Sequence, residues 1–321
     1  MVINRRISFL AVAILVSTVH AQPYPAKPVT LVVPAPAGGP TDIIGRLVGQ
    51  ILVPQLGQNV VIDNRSGAGN TLGTDYVAKS KPDGYTLTVG SPSSHSIAPS
   101  LYKNLPYDPA LDFTPVVLLA TSPTVLVIHP SLPVRNLKEF IALAKPKPGV
   151  LNFGSGGNGT TSHLTGEYFN MAAGLKIVHI PYKGSGPATT DLLAGQIQMM
   201  FHGLHLSLPY IKSGRLRSLG LTSPKRSLLM PDLPTISEAG LKGFEVNTWY
   251  GILGPAGLPK DIVMRLHSAI LKGIENPALR ERMVDQGLDI VGSTPEQFAK
   301  VIAEEKEKWA KVVQQSGARI D

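Results

Sequence analysis

The chain has 321 residues, of which 30 are Lys or Arg and 22 are Asp or Glu, and it contains no cysteine. Without cysteine, disulfide bonds, thiol catalysis and thiolate metal sites are excluded. The formal net charge of +8 is spread along the chain without basic blocks, which argues against a nucleic-acid partner and suits anionic small molecules. A chain of this length can fold on its hydrophobic core alone, most simply as two domains.

The first 21 residues predict an export signal. A short basic segment, residues 1–6, precedes an apolar run at residues 7–19, and Ala21 stands where a signal peptidase cuts. The run is too short for a transmembrane helix and is typical of a secretory signal peptide. We expect cleavage after Ala21, with an uncleaved N-terminal anchor as the alternative.

The segment after the first predicted strand is the clearest candidate for a binding loop. Residues 29–33 form an apolar run typical of a buried strand, and residues 34–40 form a loop of small residues before an amphipathic helix. Free N–H groups at a helix start can bind an anion when no large side chain blocks them. An ordinary strand-to-helix connection would give the same pattern. The candidate binding residues of this loop are Ala37, Gly38, Gly39, Thr41 and Asp42.

Strands and loops alternate through the first hundred residues. Predicted strands at 29–33, 59–63 and 85–89 are each followed by a loop of small or polar residues. This alternation predicts a parallel sheet with helices on its faces, in which the loops after the strands meet at one edge. The third loop is rich in hydroxyl groups around a histidine. Its candidate ligand contacts are Ser91, Ser93, Ser94 and His95.

A second unit repeats the opening arrangement. A strand at 150–153, a loop of glycines and hydroxyls at 154–162 and a helix at 163–172 follow one another. The loop matches the dinucleotide pattern G-x-G-x-x-G, but the acidic residue expected about twenty positions later is missing, so we reject a nucleotide site. A second helix-start anion site remains. Its candidate residues are Ser155, Gly156, Asn158, Gly159, Thr160 and Thr161.

The remaining segments continue the pattern of short strands and amphipathic helices. Strands are predicted at 124–128, 176–180, 197–201, 216–222 and 245–253, and helices at 137–144, 187–193, 259–274 and 277–287. A capping box at 294–297 starts a last helix, whose Trp309 we expect in the core. His202 and His205 are spaced like metal ligands, but no third ligand group stands at a convincing spacing, so we predict no metal site.

Several motifs, in this order along the chain, resemble those of Bug-type (TctC-like) solute-binding proteins of tripartite tricarboxylate transporters. They are PAGG at 36–39 with Asp42, NRSGAG at 64–69, PDGYTL at 82–87, LPYD at 105–108, HIPYKG at 179–184, LPT at 233–235 with EAG at 238–240, and TPEQF at 294–298. The resemblance implies an α/β, two-domain periplasmic binding fold (type II-like). Each domain would be a mostly parallel sheet flanked by helices, with the ligand in the interdomain cleft. We expect a signal peptide at 1–21, one domain at 22–122 and 247–321, and another at 123–246.

The resemblance also implies a mode of binding. Two opposed helix-start loops would hold one ligand carboxylate through backbone amides and water when the domains close, with Asp42 orienting the first loop. The far end of the ligand would meet the loop around His95, and Tyr182 and His202 from the second domain. Many relatives carry an acidic residue where this chain has His202, so we expect a dicarboxylate or aromatic carboxylate rather than an amino acid. The alternative is that His202 packs beside the pocket without touching the ligand.

The implied function is the capture of a small carboxylate in the periplasm and its delivery to a membrane permease. We expect a monomer that needs no cofactor and catalyses no reaction. Two alternatives stay open: a sensor that presents the bound carboxylate to a membrane receptor kinase, and a serine-dependent hydrolase. The hydrolase would pair Ser155 with His163 or His95, but the sequence offers no third catalytic residue.

Overall fold

The computed structural model describes residues 24–318, so the predicted signal peptide lies outside the described residues. Within this range the strands are β1 Val29–Val33, β2 Val60–Asn64, β3 Thr86–Gly90, β4 Phe113–Ile128, β5 Asn152–Ser155, β6 Val178–Pro181, β7 Met199–Gly203, β8 Arg217–Leu221, β9 Asn247–Pro255 and β10 Asp289–Ile290. The helices are α1 Pro40–Leu56, α2 Thr71–Ala78, α3 Ala98–Leu101, α4 Leu137–Ala144, α5 Thr161–Ala173, α6 Ser185–Leu193, α7 Leu204–Lys212, α8 Lys260–Ile274, α9 Pro277–Asp285 and α10 Pro295–Ser316. None of the helices in residues 24–318 combines the length and the apolar character that a membrane span requires.

The strands form one sheet with two halves. The first half contains β1, β2 and β3, the second contains β5, β6, β7 and β8, and β4 and β9 lie between them. The strand order of the sheet is β2-β1-β3-β9-β4-β7-β5-β6, and β8 and β10 also pair with β4. The outer strands run parallel, because β1 pairs in parallel with β2 and β3, and β5 pairs in parallel with β6 and β7. The central strands β4 and β9 are antiparallel to their neighbours. The predicted α/β architecture of two mostly parallel units is therefore confirmed.

The long strand β4 belongs to both halves. Residues 113–123 pair with β9, residues 124–128 pair with β7, and residues 125–128 also pair with β8. The sequence predicted only a strand at 124–128. The strand starts eleven residues earlier because its pairing with β9 extends back to Phe113, a long-range contact that local periodicity does not record.

Apolar side chains cover both faces of each half, as the alternation of strand side chains requires. On β1, Leu31 packs on the side of α1 and α8, and Val32 packs on the side of α2 and α10. On β4, Leu126 packs on the side of α4 and α5, and Val125 packs on the side of α6 and α7. Helices therefore cover the sheet on both faces, which leaves the loops at the strand ends free to meet between the halves.

Helix α10 spans both halves. Its capping box, formed by Thr294 and Gln297, is confirmed. Phe298 packs in the core of the first half, whereas Trp309, which is fully buried as predicted, packs with Phe169 in the second. The domain borders remain a prediction, and this packing assigns the last turns of α10 to the core of the second half.

Candidate binding site

A cavity of about 460 Å³ lies between the two halves. The first half contributes residues 35–41, Asn70, Ser91 and Ser93, and the second contributes Gly156, residues 160–162, Thr165, residues 183–187 and residues 200–203. The shared strands β4 and β9 supply Ser122, Thr124, Thr248 and Tyr250. Hydroxyl groups and backbone amides therefore dominate the polar surface of this cavity.

The first wall is the loop before α1, and it is held from behind by Asp42. This carboxylate is 2% exposed and accepts hydrogen bonds from the Gly38 N–H (2.9 Å), Arg46 Nε (2.9 Å) and Asn64 Nδ2 (3.0 Å). Burial alone would raise the pKa of Asp42, but the bonds from Arg46, Gly38 and Asn64 outweigh it, so the pKa lies below its usual value. Asp42 stays ionised at neutral pH and fixes the loop without itself lining the cavity.

Gly38 shows why this loop needs glycine. Its φ is +79°, in the left-handed region where a side chain costs about 1 kcal/mol or more. In this conformation the N–H of Gly38 reaches Asp42. Gly39 then occupies the N-cap position of α1, and it has no side chain that could cap the helix. The start of α1 therefore keeps donor groups for a ligand.

Three further helices begin at the second wall of the cavity. α5 starts after Thr160, whose hydroxyl donates to the Gly157 carbonyl (2.7 Å) and accepts from the His163 N–H (3.4 Å). α6 and α7 start after Gly184 and Gly203, neither of which provides a side-chain cap. The sequence predicted the α5 site but not those of α6 and α7. Four helix N-termini thus adjoin one cavity, and each carries partial positive charge.

Charged side chains reinforce this positive potential only weakly. Among the described residues that line the cavity, Lys183 alone carries a charged side chain, and no carboxylate is present. The buried His202 lines the cavity as well. Burial, and secondarily His205, lowers the pKa of His202 to about 4, so its imidazole is neutral at pH 7.

The two walls touch each other across the cavity. Ser93 Oγ accepts a hydrogen bond from the Thr161 N–H (2.9 Å) and lies 3.0 Å from Thr161 Oγ1. Gly69 packs so closely against the loop at Asn158 that a Cβ there would lie 2.8 Å from the Asn158 carbonyl oxygen. The structure therefore represents an arrangement in which the two halves are closed on one another.

Several predicted contact residues lie outside the cavity wall. Ser94 and His95 are fully buried in a π-helical turn, Ser93–Ile97, which the sequence did not predict and which turns them inward. The His95 ring packs on Phe113 (4.8 Å between centroids), Ser94 Oγ lies 2.8 Å from His95 Nδ1, and burial lowers the pKa of His95 to about 3. Direct ligand contact by Ser94 and His95 is therefore not part of the proposed site.

Ser155 is also buried, beneath the loop it was expected to serve. Its Oγ lies 2.6 Å from His179 Nε2, and the His179 ring stacks on His163 with centroids 3.9 Å apart. The sequence paired Ser155 with His163 or His95, so the partner is a different histidine. Because Ser155 is fully buried and does not line the cavity, its hydroxyl has no path to a substrate there.

Asn158, Gly159 and Tyr182 likewise support the wall rather than form it. Asn158 and Gly159 face Gly69 across the cleft. The Tyr182 hydroxyl donates to Asp191 Oδ2 (2.6 Å), which turns the side chain toward α6. Burial and then Asp191 raise the pKa of Tyr182 to about 12.

The sequence did not predict several other residues that line the cavity. The segment at 183–186 runs into α6, which has a proline at position 187, and it resembles the loop at 154–162, so the sequence already indicated a second loop of this kind. Helix α7 contains Pro209 and was not predicted at all. The hydroxyls of β4 and β9 reach the cavity only because these strands cross between the halves.

The family of the chain follows from comparison with known proteins. The family model described as "Tripartite tricarboxylate transporter family receptor" (TctC) matches residues 28–318. The chain belongs to this family. BugT of Bordetella pertussis, one relative of this TctC-family protein, is 38% identical over 313 residues, which cover 97% of this chain and 96% of BugT.

Solved structures agree with the assignment. This TctC-family protein is 36% identical to Rpa4515 of R. palustris, solved with adipate, with a TM-score of 0.87 over 92% of this chain and 98% of that one. It is 34% identical to MatC of Rhodopseudomonas palustris, solved with bound malate, with a TM-score of 0.85 over 90% of this chain and 100% of that one. The fold is thus that of the periplasmic solute-binding proteins, and the family is one of binding proteins rather than enzymes.

Proposed function

We propose that this protein captures a small carboxylate, preferably a dicarboxylate or an aromatic carboxylate, between its two halves and delivers it to the permease of a tripartite tricarboxylate transporter. The supporting observation is that four helix N-termini and Lys183 adjoin one cavity whose described wall holds no carboxylate. Such a wall favours an anion by partial charges and free N–H groups. The adipate and malate of the two similar structures are both dicarboxylates.

Hydroxyl groups complete the binding surface. Ser91 is 3% exposed and lines the cavity, and its Oγ has no hydrogen-bond partner among the described residues. A buried hydroxyl left without a partner is costly, so a ligand carboxylate that accepts from Ser91 after a small turn of this side chain toward the cavity would gain affinity. Thr161 and Ser93 already bond to one another and close the same side.

The remaining features of the proposal rest on the family and the sequence. We propose export through the leader at residues 1–21, cleavage after Ala21, and a monomeric periplasmic form without a cofactor. Ligand capture would accompany closure of the segments 22–122 and 247–321 over the segment 123–246. The closed form would then be the one that the permease recognises.

Thermal unfolding of the mature protein, residues 22–321, tests the binding proposal. The panel is adipate, malate, benzoate, glutamate and the diamide of adipic acid, added to protein that has been unfolded, dialysed and refolded to remove bound ligand. A ligand at a hundred times its dissociation constant stabilises the folded state by about 3 kcal/mol. We expect the melting temperature to rise with an acid and not with the amide. No rise with any acid would contradict carboxylate binding.

Delivery needs a separate experiment. Proteoliposomes that contain a tripartite tricarboxylate permease should take up the labelled acid only when the ligand-loaded protein is added. Uptake at the same rate without the protein would contradict the delivery role while leaving the binding role intact.

A further inference from the structure

The environment of His202 determines which of its nitrogens carries the proton. His202 Nδ1 lies 2.9 Å from Ser207 Oγ, and Nε2 lies 3.5 Å from Thr189 Oγ1. The neutral ring has one donor and one acceptor nitrogen, so these two contacts must differ in direction. The hydroxyl groups on either side decide which is which.

On one side, the hydrogen of Thr189 is already committed. Thr189 Oγ1 donates to the carbonyl of Ser185 at 2.8 Å, so toward His202 it can only accept. A nitrogen facing an acceptor is stable when it carries the proton. This contact therefore favours a proton on His202 Nε2.

On the other side, Ser207 needs an acceptor. Ser207 is fully buried, and among the described residues its Oγ has no hydrogen-bond contact other than His202 Nδ1. If Nδ1 carried the proton, the Ser207 hydroxyl hydrogen would be left buried without an acceptor, at a cost comparable to a lost hydrogen bond. Both sides thus favour the same tautomer, with Nδ1 accepting and Nε2 donating.

The donor has capacity left for a ligand. The contact of 3.5 Å from Nε2 to Thr189 is at the long limit for a hydrogen bond, so this bond is weak and the Nε2 proton is nearly free to bond elsewhere. Nε2 also lies on the side of the α6 start, because Thr189 bonds to Ser185, and both Ser185 and His202 line the cavity. The ring is held by two partners and cannot turn freely.

We propose that His202 is a specificity-determining residue that offers a fixed neutral N–H to a hydrogen-bond acceptor on the ligand beyond its first carboxylate, and that Ser207 and Thr189 are the positioning residues that aim it. The preferred ligands are those with a second carboxylate or a carbonyl oxygen at this point. Ligands with an ammonium group, or with only a methyl group there, bind more weakly. This inference rests on the proposed carboxylate-binding function.

The test compares ligands of equal length by calorimetry on the mature protein. The six-carbon series is adipate, hexanoate and 6-aminohexanoate, and the four-carbon series is succinate, butanoate and 4-aminobutanoate. We expect wild type to prefer the diacid, and His202→Leu to lower diacid affinity about 10- to 100-fold while leaving the monoacid unchanged. His202→Gln, whose amide N–H can replace Nε2–H, should keep most of the preference. His205→Leu is the matched control, since His205 does not line the cavity.

Ser207→Ala separates positioning from mere support of the fold. We expect the diacid preference to fall about 3- to 10-fold, and the ¹⁵N spectrum of His202 to change from a protonated Nε2 toward a mixture of tautomers. If His202→Leu kept the full ratio of diacid to monoacid affinity, or if the wild-type spectrum showed a protonated Nδ1, the inference would be wrong although carboxylate binding stands. If no acid of either series bound to wild type, the proposed function would fail and the inference with it.

Discussion

The two walls of the cavity present the same kind of donor group but are supported differently. In the first wall, one buried carboxylate, Asp42, holds the loop before α1 through three hydrogen bonds from behind. In the second wall, the support is spread over hydroxyls and a stack of imidazoles, with Thr160 at the start of α5 and His163 and His179 beneath it. The first wall depends on a charge, and the second depends on groups staying neutral.

This difference makes the walls respond to opposite changes in protonation. Asp42 has a lowered pKa and stays charged in mild acid. Burial lowers the pKa of His163 to about 4. Burial, and secondarily the neighbouring His163, lowers the pKa of His179 to about 3. Acid should therefore disturb the imidazole stack beneath the second wall at a pH where the carboxylate of Asp42 still holds the loop before α1.

The largest effect we expect is a loss of stability between pH 6.5 and pH 4. An unfolded histidine binds a proton near pH 6.5, while a buried one with a pKa of about 4 does not, so unfolding takes up protons as the pH falls. One such histidine lowers the free energy of unfolding by about 1.4 kcal/mol per pH unit, or about 3 kcal/mol over this window. Urea unfolding from pH 8 to pH 4 measures it.

His205→Leu sharpens this prediction. Both ring nitrogens of His205 are buried without a partner among the described residues, and burial lowers its pKa to about 4. In the variant, the free energy of unfolding should fall less steeply as the pH is lowered, by about 1.4 kcal/mol per pH unit, which is the contribution of one histidine. The variant should therefore unfold less readily than wild type at pH 5. An unchanged slope would show that His205 is protonated in the folded protein.

Asp42→Ala removes the charged support of the first wall. The variant removes the carboxylate that accepts from the Gly38 N–H, from Arg46 and from the partly buried Asn64 amide. Hydrogen bonds to a charged group are the strong ones, so the loss should cost about 3 kcal/mol of folding free energy and more than about 100-fold in ligand affinity. Asp42→Asn, which keeps the shape and one acceptor, should be intermediate. Binding equal to wild type in the alanine variant would refute the role of Asp42 as the support of this loop.

Thr160→Val tests the distributed support of the second wall. It removes the cap of α5 and the bond to the Gly157 carbonyl, so we expect a loss of about 1 kcal/mol in stability and a loss of less than about tenfold in affinity. Calorimetric binding and urea unfolding give both numbers. A loss as large as that of Asp42→Ala would remove the contrast between the walls.

Ser93→Ala should have the smallest effect. The Ser93 hydroxyl joins the walls through the Thr161 N–H, and one such bond contributes about 1 kcal/mol, so the ligand should dissociate about fivefold faster. Stopped-flow release measures this rate, and folding should be unaffected. An unchanged release rate would mean that this bond is absent from the liganded form.

Much of the fold followed from local patterns. The short apolar strands, the glycine loops before helices and the capping box at Thr294 record interactions within a few residues, so periodicity and turn chemistry find them. The interpretation of Asp42 as a support of its loop agrees with its geometry for the same reason, since Gly38 and Arg46 lie within four residues of it.

What the sequence by itself determined about this protein is its class of fold, its family and the presence of two helix-start loops. Only the tertiary structure decided which side chains face the cavity. Ser91 faces it whereas Ser94 and His95 turn away, because a π-helical turn rotates them into the core. The hydroxyls of Thr124 and Thr248 enter it because β4 and β9 pair across more than a hundred residues. Side-chain direction depends on packing between distant segments, and a one-dimensional pattern does not contain it.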